Sequence, residues 1–81
     1  MDTRVAVISM IVSQEEAVQQ LNGLLHNYSQ YIIGRMGLPY RTKGVNIICV
    51  AVDAPRDAVS ALSGKLGSIA GVSVKTAYAN V

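Results

Sequence analysis

Tyr31–Gly44 reads YIIGRMGLPYRTKG, and it separates two halves of the chain that each carry the pattern strand, helix, strand. The stretch holds three glycines, a proline, two tyrosines and three of the seven basic residues. No acidic residue occurs between Glu16 and Asp53, so the middle of the chain is wholly cationic. Glycine inside an apolar strand marks a bulge or a place where another backbone or a ligand comes close. The segment therefore predicts an edge strand, Tyr31–Leu38, ended by Pro39 and followed by a turn at Tyr40–Gly44.

Outward from this segment, the two flanks repeat one another. Arg4–Val12 (RVAVISMIV) is β-branched and almost continuously apolar, the mark of a central strand. Ser13 with Glu16 three residues later predicts a capping box. The helix it opens carries Ala17, Val18, Leu21, Leu24, Leu25 and Tyr28 on one stripe, with Gln19, Gln20 and Asn22 opposite. On the other flank, Val45–Asp53 (VNIICVAVD) predicts a third strand. Pro55 suits the first position of a second helix, which turns Val59, Leu62, Leu66 and Ile69 inward and stops near Gly67. Gly71 leads into a last strand, Val72–Tyr78, with Val72 and Val74 alternating with Ser73 and Lys75.

The order βαββαβ with right-handed crossovers predicts an α+β, ferredoxin-like (ACT-like) fold: a four-stranded antiparallel sheet, first and third strands central, two helices on one face. A sheet covered on one side should be polar on the other. Here Val7 and Ile8, Ile32 and Ile33, and Ile47 and Ile48 are adjacent pairs, so both faces are apolar. A second copy of the chain is the simplest cover, which predicts a homo-oligomer, dimer or tetramer.

Composition agrees. The 81 residues form one domain, 1–81, with 51% hydrophobic and 15% charged residues. A chain of this length buries only about 60% of its unfolded surface, so that much apolar material points again to association. The single cysteine, Cys49, lies in the run ICVAV and reads as a small core hydrophobe; alone it forms no internal disulfide or four-thiolate cluster. The N-terminus MDTRVAV runs straight into a strand and predicts no export leader, no apolar run is long enough for a membrane span, and the net charge of +2 does not by itself indicate nucleic acid.

The segments IIGRMGLPYRTKGVNIICVAVD and ALSGKLGSIAGVSVKTAYA resemble the small ACT-like iron-only hydrogenase system regulators, over essentially the whole chain and most specifically at Ile33–Tyr40 and Leu62–Val74. The resemblance implies a ferredoxin-like fold, a cytoplasmic location, self-association and a regulatory role. The family is also similar in fold to the C-terminal sensing domain of the nickel-responsive ribbon-helix-helix repressor, which binds metal through histidines and a cysteine. This chain has one histidine, His26, and one cysteine, Cys49, and a DNA-binding arm before its first strand is not expected. Nickel sensing and autonomous repression are not expected of it.

The residue cluster with binding chemistry is Gly34, Arg35, Met36, Gly37, Pro39, Tyr40 and Arg41. Glycines admit a ligand to the backbone, and arginine offers a bidentate fork to carboxylate or phosphate. The cluster predicts a pocket for a small anionic ligand between subunits, against the plainer alternative of a bulged edge strand and solvated turn. His26 has no second ligand at i+3 or i+4, so no metal site is predicted. Lys65 in SGKLG lacks the phosphate-loop spacing. No nucleophile–base pair can be assembled, so no catalytic residue is assigned, and no cofactor is specified. The sequence supports a ligand-sensing regulatory module without catalysis that signals to a protein partner. The alternative is a nucleic-acid or protein-interaction module using Arg35, Arg41 and Lys43; its nucleic-acid form is disfavoured by the scarcity of strand aromatics.

Overall fold

The computed structural model describes residues 2–80. The elements run β1 (Arg4–Val12), α1 (Ala17–Asn27), a 3-10 turn at Ser29–Tyr31, β2 (Ile32–Tyr40), a second 3-10 turn at Arg41–Lys43, β3 (Val45–Ala54), α2 (Arg56–Gly67) and β4 (Val72–Tyr78). The four strands form one antiparallel sheet in the order β2-β3-β1-β4. This is the ferredoxin-like βαββαβ arrangement, with β1 and β3 in the middle.

Alternation along the strands decides which residues meet the helices. Ala6, Ile8, Met10 and Val12 of β1 and Ile48, Val50, Val52 and Ala54 of β3 are buried, and they pack with Ala17, Leu21 and Leu25 of α1 and Val59, Leu62 and Leu66 of α2. Ile69 completes this core. Both helices therefore spend their apolar stripe on one face of the sheet. Around the rim, Lys65 donates to the Tyr28 hydroxyl at 3.1 Å and joins the helices. Arg4 and Arg56 both stand over the Tyr78 ring, at 5.4 and 4.9 Å from its centroid.

Local details differ from expectation where a backbone partner outcompetes a side-chain rule. Ser13 does not cap α1. Its N–H and its hydroxyl both donate to the Gly71 carbonyl, at 2.8 and 3.2 Å, which ties the end of β1 to the turn before β4. Helix α1 starts instead after Glu16, without a side-chain cap. Pro55 occupies the cap position of α2, with extended ψ, and the helix proper begins at Arg56. Pro39 does not end β2; an edge strand has free N–H positions, so proline is accommodated there and pairing continues to Tyr40. The expected irregularity is present, as a register shift between Ile32 and Gly34 that leaves Ile33 unpaired with β3. Two glycines adopt positive φ, Gly44 at 65° and Gly71 at 84°. At Gly71 a Cβ would stand 2.7 Å from Gln14 Cγ, so both conformation and space require glycine.

Among the described residues, no element covers the face away from the helices. By strand register it presents Val5, Val7, Ser9 and Ile11 of β1, Val45, Ile47, Cys49, Ala51 and Asp53 of β3, Met36, Leu38 and Tyr40 of β2, and Ser73, Lys75 and Ala77 of β4. Ile11, Met36, Leu38 and Tyr40 are 51%, 52%, 51% and 46% exposed. Cys49 belongs to this face and is half-buried, 3.8 Å from the Ser9 hydroxyl, rather than part of the core. The parity of β3 explains this: Ile48 and Val50 point to the helices, and the residue between them points away.

Candidate functional site

Strand β2 carries most of the cluster singled out in the sequence, and pleating divides that cluster between two faces. Arg35, paired with the buried Val50, and Pro39, paired with Asn46, lie on the helix side. Gly34, Met36 and Tyr40 pair with Ala51, Cys49 and Val45 and lie on the open side. Gly37, opposite Ile48, is on the helix side, and Arg41 stands in the 3-10 turn that follows. Within one chain the seven residues are therefore not the wall of a single pocket. They fall into three surfaces that share one edge strand.

The first surface is a groove of about 340 Å³ between α1 and β2, lined by Asn22, Leu25, His26, Ser29, Ile32 and Arg35. Arg35 Nη donates to Asn22 Oδ1 at 2.6 Å, which fixes the guanidinium over the helix. That partner is neutral, so the positive charge is not cancelled there. The second is a hollow of about 260 Å³ lined by Glu15, Pro39, Arg41, Gly44, Val45 and Asn46, which mixes both signs of charge. The third is the apolar open face.

Asn22, His26 and Ser29 were not grouped with Arg35 on sequence grounds, although a signal exists. Asn22 and His26 are at i and i+4 and so share one helix side, and odd–even parity along β2 sends Arg35 towards the helices. Among the described residues, no three His, Cys, Asp or Glu side chains gather as a metal-holding group. No helix among them is long and apolar enough to cross a membrane.

The sheet order, the paired helices and the uncovered apolar face define the protein as a small ferredoxin-like α+β domain. Residues 4–76 match the TM1266-like family, described as a candidate iron-only hydrogenase system regulator. The chain belongs to that family. It is similar to the solved structure of uncharacterized protein TM1266 from Thermotoga maritima, with 41% sequence identity and a TM-score of 0.91, over 95% of this chain and 98% of that one. No curated protein matches the chain. The family description supports a regulatory role.

Proposed function

We propose that the protein is a homo-oligomeric, ligand-sensing regulatory module of the iron-only hydrogenase system, cytoplasmic and without catalytic activity, that passes its state to a protein partner. The observation that carries this reading is the open sheet face. Among the described residues it exposes five large hydrophobics, Val7, Ile11, Met36, Leu38 and Tyr40. At roughly 200 Å² for a large side chain, about half exposed, they present on the order of 500 Å². That is the upper end of what monomers tolerate and approaches the roughly 800 Å² that each partner contributes to a stable interface.

The occupant we assign to this face is a second copy. Among the described residues its strands present two charged side chains, Asp53 at one end and Lys75 on β4, and so apolar a surface suits a permanent homodimer better than a transient partner. Two such faces stack about 10 Å apart with nearly aligned strands. Ligand sensing follows from β2. Arg35 and Arg41 supply anion-binding groups, with Gly34, Gly37 and Pro39 shaping the strand, while Met36 and Tyr40 contribute to the interface. One edge strand thus meets both ligand and partner copy, and binding at either is thermodynamically linked to the other.

Native mass spectrometry of the freshly purified protein at graded micromolar concentrations tests this reading. A dimer or tetramer is expected, and retained small-molecule mass would begin to name the ligand. A monomer throughout would overturn the proposal.

A further inference from the structure

We infer that the groove between α1 and β2 is a binding site for a small organic phosphate, headed by Arg35 and His26. The inference rests on the sensing role proposed above and gives it a ligand class and a place. Of the six residues that line the groove, two are basic and none is acidic. Arg35 spends one donor on Asn22 Oδ1 and has the remainder of its fork to offer. His26 and Ser29 line the same space. An arginine fork, an imidazole and a hydroxyl together supply more donors than the two oxygens of a carboxylate use, and they suit the three oxygens of a phosphate monoester. Leu25 and Ile32 add apolar wall for the rest of the molecule, and about 340 Å³ is at the small end of ligand sites.

A plainer reading needs an answer. Cations near a helix C-terminus complement its dipole, and His26 lies in the last turn of α1. Arg35, however, comes from another element and is held there by a side-chain amide rather than by the terminal carbonyls. Dipole complementarity therefore explains His26 but not the placement of Arg35.

His26 is the one histidine of the chain, so its ring protons form a single-site reporter in proton NMR. Phenyl phosphate is titrated into the intact protein at constant pH and ionic strength, with sodium chloride and inorganic phosphate as comparison anions. A saturable shift is expected, at least fivefold tighter for phenyl phosphate than for inorganic phosphate. Arg35→Gln should weaken it at least tenfold, whereas Lys75→Gln, on β4 at the opposite edge of the sheet, should leave it unchanged. No saturable shift, an equal shift with chloride, no gain from the phenyl group, or the same affinity in Arg35→Gln would each overturn the site. Should Arg35→Gln prove misfolded by circular dichroism, Asn22→Ala serves in its place, with at least threefold weakening expected and unchanged affinity counting against the site. A dimer whose His26 is indifferent to phenyl phosphate sinks this inference alone. A monomer whose His26 still responds keeps the groove and removes the interface.

Discussion

The two faces of the sheet are built from the same kinds of residue and meet opposite fates. On one, Ile8, Met10, Val50 and Val52 are buried beneath two amphipathic helices. On the other, Ile11, Leu38 and Met36 stand in solvent. Hydrophobicity therefore does not tell the buried face from the exposed one in this chain. What differs is the supply of covering elements, because α1 and α2 both return to the same side. With both helices on one side, the other face is left without a covering element among the described residues.

The comparison breaks most visibly on the covered face. Ile8→Ala removes a fully buried core side chain of β1, and deletions of this kind cost about 2–5 kcal/mol. In a chain of this size each kcal/mol lowers the melting temperature by about 4–8 °C. Thermal unfolding followed by circular dichroism should show a loss of 10 °C or more, and a shift of only a few degrees would mean that the two faces are less different than their burial says.

On the open face the same chemistry should act on association instead. Leu38→Asp places a charge at a half-exposed edge position, where the monomer has little to lose. We expect the dimer dissociation constant to rise about a hundredfold, equivalent to about 2.7 kcal/mol, with the unfolding free energy of the dilute monomer within about 0.5 kcal/mol of the parent. Sedimentation at several concentrations separates these effects. A variant that dimerises normally would show that the apolar strip is not the interface.

The fold was legible in the sequence for a reason this comparison exposes. Element type followed from periodicity, and the long apolar runs of Arg4–Val12 and Val45–Asp53 lie where central strands should. The helical stripes at Ala17–Leu25 and Val59–Leu66 were equally plain. Details failed where contacts distant in sequence decided them. Ser13 satisfies Gly71, 58 residues away, instead of its own helix, and Pro39 is permitted inside β2 only because nothing pairs on that strand's outer side. The candidate site was legible as a composition, a cationic glycine-rich stretch, but not as a place. Pleating sends Arg35 and Met36 to opposite faces, and the groove takes Asn22 and His26 from a helix that precedes β2.

Gly71 sharpens the contrast from the covered side. Its positive φ and its lack of a side chain beside Gln14 let β4 enter the sheet beside the end of β1. Gly71→Ala combines an unfavourable backbone conformation with a close approach to a flexible side chain, and should cost about 1–3 kcal/mol. Urea denaturation should report that loss with an unchanged slope. Because β4 contributes little apolar surface to the open face, oligomerisation should survive in the folded fraction.

The smallest expected effect tests where the open face ends. Strand β4 pairs Ser73, Lys75 and Ala77 with Ile11, Ser9 and Val7 of β1, so one edge of an otherwise apolar surface is small and polar. A partner seated over Lys75 would have to strip water from an ammonium group with no carboxylate beside it in the register, a cost that a stable interface avoids. In the proposed dimer the second copy would therefore sit towards β2, with β4 at the rim. Lys75→Gln should accordingly change the dimer dissociation constant by less than about twofold, as rim charges do, and the constant should depend only weakly on salt. A tenfold change would move the contact across the sheet to β4, place Met36 and Tyr40 outside it, and disconnect the ligand-bearing edge strand from the interface it is proposed to serve.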